Sequence, residues 1–390
     1  MLIAVTVYGK DKKGIIYAIS NVLADAGINI VDIEQKVLHG FFLMYVVADC
    51  SKTNLSFEEI RDRLIKEGKR LGMSVNVSKF ERTESKRKNL YVITVLGNDR
   101  VGIVRDISKI LLDHGVNIES TSLIARDKLI SIEFVVDIGE ADPEALKKSL
   151  KKAVESINLD IVIQPYHEFE REKRLIVFDM DSTLVDAEII DEIAKYAGVE
   201  EEVKKITEKA MRGEIDFKTA LIERVKLLKG LPVEVLEKIY ENVKLTEGAR
   251  ELIQALKKAG YKVAVVSGGF TYFTNRLKEE LGLDYAFGND LEIKDGKLTG
   301  RLKGRIIDAE EKARIIEEIA NREGISKENV VAVGDGANDR IMIENAGLGI
   351  AFNAKEVLKE VADGTISKEN LIGLACVLGL FKKNKTFKDL

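Results

Sequence analysis

The sequence predicts an α/β protein: a doubly wound parallel sheet under a helical-bundle cap, preceded by two ferredoxin-like (α+β) modules. Three observations predict it. A segment near the N-terminus recurs 88 positions later, Thr6 to Ile16 answering to Thr94 to Val104. Two short runs of apolar residues, Leu175 to Phe178 and Val330 to Val333, lead into carboxylates. Between them, residues 187 to about 245 show helical spacing alone.

The duplication persists past the following helix, since Ala26-Gly27-Ile28-Asn29-Ile30 matches His114-Gly115-Val116-Asn117-Ile118 at the same offset. Each copy reads strand, Gly-containing turn, helix, strand, hairpin and second helix. Ile15, Ile19, Val22 and Leu23 repeat at helical spacing, and Gly27 closes that helix as Gly115 closes its counterpart. Phe42, Met44, Val46 and Val47 suggest a strand before a helix over Phe57 to Gly68. In the second copy Ile130, Ile132, Phe134 and Val136 alternate, and Pro143 opens a helix. The order is β-α-β-β-α-β. Polar stretches at Glu81 to Lys88 and His167 to Arg174 read as linkers, which sets domains at 1–82, 88–168 and 174–390. In both copies the turn N–H groups can receive a carboxylate, and Asp11, Asn29, Asp99 or Asn117 could take an ammonium. The same residue types also simply make turns.

In the third domain Leu175-Ile176-Val177-Phe178 reads as a strand buried on both faces. It delivers Asp179 and Asp181 to its C-terminal end, where open α/β sheets bind ligands. Asp186 is the expected N-cap of a helix with Ile189, Ile190, Ile193 and Ala197 on one side and Gly198 at its end. A second cap helix carries Val203, Ile206 and Ala210. A third begins after Asp216 and puts Phe217, Leu221 and Arg224 on one face, because seven residues return within about 20° of the start. Arg224 either snorkels there or presents its guanidinium to a carboxylate inside a closed pocket. A helix over Glu247 to Gly260 leads into the strand Tyr261 to Val266, which ends in Ser267-Gly268-Gly269. A small hydroxyl and unhindered N–H groups before a helix suit a phosphate. Phe287 to Gly304 reads as a β-hairpin turning at Lys294-Asp295-Gly296-Lys297. In the next helix Lys312 shares a face with Ile316 and Ile319, and the strand Val330 to Val333 runs into Gly334-Asp335-Gly336-Ala337-Asn338-Asp339. Sheet connectivity gathers Asp179, Asp181, Ser267, Lys312, Asp335, Asn338 and Asp339 at one edge. Three crowded carboxylates repel unless a cation sits among them, and oxygen ligands with room for water and phosphate suit Mg²⁺. A metal facing an anion clamp is a phosphoryl-transfer site.

Composition excludes other classes. The 61 basic and 65 acidic residues are interspersed, so there is no footprint for nucleic acid or an anionic membrane. A hydrophobic content of 45% suits a folded chain rather than a disordered one. Abundant Lys and Glu with few Gln and no Trp lean towards a thermophile. Cys50 and Cys376 are too far apart in sequence for a disulfide framework or metal knuckle and read as buried free thiols. The apolar run Leu371 to Leu380 falls short of the roughly 20 residues that span a bilayer and reads as a docked helix. With no signal segment, the chain reads as cytoplasmic.

Asp11-x-x-Gly14 with Gly27-x-Asn29, and Asp99-x-x-Gly102 with Gly115-x-Asn117, resemble the ACT domain across nearly all of residues 1–168. In that amino-acid-sensing family the turn and the Asn segment approach each other and bind a free amino acid, often where two modules meet. The resemblance implies an effector site at Asp11, Gly14, Asn29, Asp99, Gly102 and Asn117, an effector such as L-serine, and a homodimer through the ACT modules.

From residue 174 to about 380, Asp179-Met180-Asp181-Ser182-Thr183-Leu184, Ser267-Gly268-Gly269, Lys312 and Gly334 to Asp339 resemble, in order, the four motifs of the haloacid dehalogenase superfamily. Within it the chain looks like the phosphoserine phosphatase family. The resemblance implies Mg²⁺-dependent hydrolysis of O-phospho-L-serine to L-serine and phosphate, the last step of serine biosynthesis. It makes Asp179 the nucleophile, and Asp181 the acid that protonates the serine oxygen and then the base that activates water. The carboxylates of Asp179 and Asp335 and the backbone carbonyl of Asp181 would hold the metal. Ser267, Gly268 and Lys312 would grip the phosphate beside Asn338, with Asp339 steadying the lysine. Glu188 would face the substrate ammonium and Arg224 its carboxylate, while Met211 and Phe217 close the pocket. Two other readings use the same residues. One is phosphoryl transfer to another alcohol, such as homoserine; the other is an amino-acid sensor whose hydrolase part is structural, against which the intact Asp179, Asp181, Lys312 and Asp335 argue.

Overall fold

The computed structural model describes residues 1–82, 88–126, 129–367 and 370–380. The first module runs β1 (Leu2–Lys10), α1 (Ile15–Asp25), β2 (Asn29–Leu38), β3 (Phe41–Asp49), α2 (Phe57–Leu71) and β4 (Ser74–Phe80), with its antiparallel sheet in the order β2-β3-β1-β4. Alternation along β1 and β3 turns Ile3, Val5, Val7, Phe42, Met44 and Val46 towards Ile15, Ile19, Leu23, Ile60 and Leu64 of the two helices. Ser56 and Glu59 close a reciprocal capping box at the start of α2. Lys10 pairs with Phe41 and Asn29 with Asp49, the two ends of β3. Asp11 and Asn29 are therefore roughly 27 Å apart at about 3.4 Å per residue. The turn and the Asn segment, expected to approach each other, do not do so within a module, because α1 carries the chain back along the sheet before β2 begins. Residues 83–87 of the first linker lie outside the described residues.

From residue 88 the described chain forms a second unit. It repeats the module as β5 (Leu90–Gly97), α3 (Ile103–Asp113), β6 (Asn117–Arg126), β7 (Ile130–Asp137), α4 (Pro143–Ser156) and β8 (Leu159–Pro165). The stretch read as a second linker is partly structured: it contains α5 (Tyr166–Phe169), and Lys173 is buried. Its charged head is tolerated there because Nζ donates to the Glu328 carbonyl at 2.8 Å.

The third domain starts at β9 (Leu175–Phe178) and continues through the cap helices α6 (Ile189–Ala197), α7 (Glu200–Met211), α8 (Phe217–Leu227) and α9 (Glu234–Asn242). Then follow α10 (Ala249–Lys258), β10 (Lys262–Phe270), α11 (Thr271–Leu281), β11 (Tyr285–Lys294), β12 (Lys297–Lys303), α12 (Ala309–Glu323), β13 (Val330–Gly334) and α13 (Arg340–Asn345). The chain closes with β14 (Leu348–Phe352), α14 (Glu356–Lys359), β15 (Gly364–Ile366) and α15 (Gly373–Val377). β9 lies parallel between β10 and β13. One of its faces packs Ile176 and Phe178 towards the cap side, and the other packs Leu175 and Val177 against Ile315, Ile316 and Ile319.

The sheets of the second module and the third domain are continuous. β15 pairs antiparallel with β8 through Gly364 and Val162, giving the order β12-β11-β10-β9-β13-β14-β15-β8-β5-β7-β6. Lys151 of α4 crosses this seam and donates to the carbonyls of Lys359 and Ala362, each at 2.7 Å. Leu96 of β5 and Leu129 belong to the same apolar core as Leu371, Leu374 and Val377. The C-terminal apolar run thus docks as expected, although only five of its residues are helical. Both cysteines are buried and free. Among the described residues no helix is long and apolar enough to cross a membrane.

Candidate active site

At the end of β9 the Asp179 N–H donates to the Val333 carbonyl at 2.9 Å, which carries the strand pairing one step past the apolar run. The chain then curls tightly. The N–H groups of Thr183, Leu184 and Val185 all turn back to the Met180 carbonyl, and Ser182 adopts a left-handed φ of 55°. This curl returns the Asp181 side chain to the start of α6, where Oδ1 accepts from the Ile189 N–H at 3.0 Å. The helix is therefore not capped by Asp186, which is exposed. Glu188 occupies the N-cap position without a side-chain bond to the helix end, and Asp181 satisfies that end from a distance in sequence.

Lys312 is fully buried (0% exposed), with Nζ 2.8 Å from Asp179 Oδ1 and 2.7 Å from Asp339 Oδ1. Asp339 Oδ2 accepts from the N–H groups of Asp335 and Gly336 at 3.1 and 3.0 Å, so both of its oxygens are engaged. Asp179 is 3% exposed, and its Oδ1, though close to the ammonium, has no hydrogen bond of acceptable angle. Oxygens of Asp179, Asp335 and Asp339 lie within 4.8 Å of one another. One ammonium among three carboxylates leaves the cluster short of positive charge. Burial, with Asp339 beside it, raises Asp179 to about 7 against the opposing pull of Lys312. Burial, with Asp179 and Asp339, raises Asp335 to about 8. Burial alone would push Lys312 down, but the carboxylates of Asp179 and Asp339 more than offset it and hold the ammonium above its ordinary value. An all-oxygen set of three carboxylates answered by one ammonium fits Mg²⁺, and with both oxygens of Asp339 engaged, Asp179 and Asp335 are the two carboxylates with capacity left for it.

Ser267 is also 0% exposed, and its Oγ accepts from the Gly269 N–H at 2.8 Å. The two glycines are required by close approach. A Cβ on Gly268 would stand 2.9 Å from Cζ of Phe217 in the cap, and one on Gly269 would stand 2.7 Å from Asp181 Oδ2. The phosphate-type loop therefore touches both the cap and the second carboxylate. Burial raises Asp181 well above the usual carboxylate range, with Glu188 and Asp179 adding to the effect.

From the cap, Glu188 Oε1 accepts from the Ser182 hydroxyl at 2.9 Å. Arg224 is partly buried, and the negative charges of Asp191, Glu188 and Asp181 act on its guanidinium, which a snorkelling arginine would keep in water. Its Nη1 lies 3.4 Å from Thr207 Oγ1. Lys218 of α8 reaches Asp308, the N-cap of α12, at 2.7 Å. Asn338 is half-buried on the turn that carries Asp335. Met211, expected over the pocket, is 67% exposed at the end of α7. Ser182, though inside the first motif, and Lys218 and Asn289 carry no role in the sequence patterns. The available signals were the adjacency of Ser182 to Asp181 and, for Asn289, a polar side chain inside a strand that would need partners if buried.

The module residues are placed less closely. Gly14 and Gly102 hold left-handed φ values of 93° and 96° at the starts of α1 and α3. Asp99 pairs with Arg126 at 2.8 Å, Asn117 donates to Glu119 at 2.9 Å, and Asp11 and Asn29 are exposed.

Known proteins share this organisation. The profile of haloacid dehalogenase-like hydrolases matches residues 173–347, and ACT-domain profiles match residues 1–78 and 91–155. The chain is 68% identical over 339 residues to the phosphoserine phosphatase of Archaeoglobus fulgidus, covering 87% of this chain and 97% of that one. It is 37% identical over 387 residues to the phosphoserine phosphatase of Streptomyces coelicolor, covering 99% and 94%. Among solved structures it is similar to a substrate-bound phosphoserine phosphatase complex, with 56% identity over 53% of this chain and 99% of that one and a TM-score of 0.51. A HAD-family hydrolase from Salmonella enterica serovar Typhi aligns over 76% and 99% at 30% identity with a TM-score of 0.68.

Proposed function

The chain belongs to the phosphoserine phosphatases of the haloacid dehalogenase-like hydrolases, and on that premise we propose that it hydrolyses O-phospho-L-serine to L-serine and phosphate through an aspartyl phosphate on Asp179. The observation that carries the reading is a pair of carboxylates, separated by one residue, held in unlike environments. Asp179 is ion-paired to the buried Lys312, while Asp181 is bonded to the first N–H of α6, next to Glu188.

The Asp179 carboxylate attacks phosphorus as the bond to the serine oxygen breaks, and Asp181, whose desolvated position beside like charges favours its protonated form, gives its proton to that oxygen. Water then attacks the phosphorus of the acyl phosphate, and the ionised Asp181 takes its proton, restoring both carboxyl groups. Mg²⁺ held by the carboxylates of Asp179 and Asp335 and the backbone carbonyl of Asp181 would offset their charge and that of the phosphoryl oxygens, which would favour an ionised Asp179. Lys312, the Ser267 hydroxyl and the Gly268 N–H donate to the phosphoryl oxygens, with Asn338 beside them and Asp339 holding the lysine. Glu188 receives the substrate ammonium and Arg224 its carboxylate. Their opposite charges near Asp181 support an amino-acid leaving group.

An amino-acid effector such as L-serine would bind between the Asp-x-x-Gly turn of one module and the Gly-x-Asn segment of a module from a second copy of the chain. The separation of Asp11 from Asn29 within a module favours such a homodimeric site.

The test is phosphate release from L-O-phosphoserine with Mg²⁺ and with EDTA. Equal amounts of serine and phosphate, abolished by EDTA, are expected. Hydrolysis of other phosphomonoesters without any action on phosphoserine would remove the substrate assignment together with the roles of Glu188 and Arg224.

A further inference from the structure

The Ser267-Gly268-Gly269 loop is a break in a sheet ladder. β10 pairs with β11 up to Val266 opposite Phe287 and resumes at Phe270 opposite Asn289, so β10 uses two more residues than β11 between the same rungs. The backbone bonds missing from the bulge are replaced by one side chain. Asn289, 1% exposed, donates from Nδ2 to the carbonyls of Gly268 at 2.8 Å and Gly269 at 3.3 Å, and its Oδ1 accepts from the Ile307 N–H at 2.8 Å.

A trans peptide holds its C=O and N–H on opposite sides. Fixing the Gly268 carbonyl on Asn289 therefore turns the Gly269 N–H the other way, and there it donates to Ser267 Oγ at 2.8 Å. With Oγ accepting that bond, and no acceptor for the hydroxyl among the described residues, the Ser267 proton is left to point at an incoming anion. The third bond reaches the other half of the grip. Ile307 precedes Asp308, the N-cap of α12, and Lys312 lies one turn into that helix.

We infer that Asn289 is a positioning residue of the phosphate clamp: by pinning Gly268 and Gly269 it sets Ser267 as a hydrogen-bond donor to the phosphoryl group and holds that donor in register with Lys312. This rests on the phosphatase reading above. Asparagine suits the position because it alone joins two donors and an acceptor on a side chain of this length.

The experiment compares Asn289→Ala in the native background and in Ser267→Ala, using both L-O-phosphoserine and p-nitrophenyl phosphate with Mg²⁺. In the native background kcat/KM is expected to fall about tenfold or more on both substrates, since loss of a preorganised donor to developing charge commonly costs this much. In the Ser267→Ala background the same change is expected to cost less than about twofold, the signature of two residues acting through one interaction. Equal costs in the two backgrounds would overturn the inference, as would an unchanged kcat/KM with a lowered melting temperature. Asn289→Asp, which keeps the shape but cannot donate to both carbonyls, goes through the same comparison should the alanine variant not fold. Loss of the fold in both would assign Asn289 to the scaffold alone. Use of the aryl ester separates this outcome from a wrong substrate: were phosphoserine not turned over, the clamp would still be read on p-nitrophenyl phosphate.

Discussion

Asp179 and Asp335 are raised by burial to about 7 and about 8, so the folded metal-free protein prefers them protonated, whereas the unfolded chain ionises them near 3.8. Their contribution to folding is fully present below about pH 4 and is lost as pH rises to about 8. A cation that accepts both as carboxylates removes the loss. The rise in melting temperature caused by Mg²⁺ is therefore expected to grow from pH 5.5 to 8, measured by thermal melts with Mg²⁺ or EDTA; a rise independent of pH would contradict it. In the proposed reaction Arg224 acts only on the serine end of the substrate. Arg224→Ala is expected to lower kcat/KM on phosphoserine by about a hundredfold, the loss of a bidentate contact in a closed site, while p-nitrophenyl phosphate is hydrolysed almost as before. Equal losses on both substrates would place the arginine in the general architecture of the cap.

At the scale of elements, contact between the cap and the β10 loop is what demands glycine at position 268. Gly268→Ala puts a methyl group 2.9 Å from the Phe217 ring and is expected to reduce turnover of both substrates about tenfold or more with little change in melting temperature. Adding Phe217→Leu, which withdraws the ring, should recover part of it; no recovery would show that the clash is not with the cap. Elements of this kind were largely legible in the sequence, because alternation in β7, helical spacing in α8 and the capping carboxylate of Asp216 are local properties of the chain. What was illegible depended on distance. Asp186 looked like the cap of α6, but the carboxylate that reaches Ile189 comes from Asp181 through a left-handed turn at Ser182. The partners of Asn289 lie 18 to 21 residues away along the chain, so no window of sequence contains its reason for being there. The exposure of Met211 depends on where α7 ends relative to its neighbours, which periodicity does not report.

At the scale of the whole molecule, the seam between β15 and β8 joins the described residues from 88 to 380 into one unit across a boundary that sequence places at a linker, and they are expected to unfold as one body. Lys151→Met leaves the carbonyls of Lys359 and Ala362, at the end of α14 and just beyond it, without this donor and is expected to cost about 1–3 kcal/mol, read as a lower midpoint of the denaturant transition of a chain beginning at residue 88. Two separated transitions within a chain beginning at residue 88 would contradict the single body. The seam also bears on solubility. A chain shortened to begin at residue 174 would leave the backbone groups of β15 without strand partners on one side and strip apolar cover from Leu374 and Val377. Such a chain is expected to self-associate in light scattering, whereas one beginning at residue 88 stays dispersed. On this expectation the second module also shields the open flank of β15 from strand-to-strand growth.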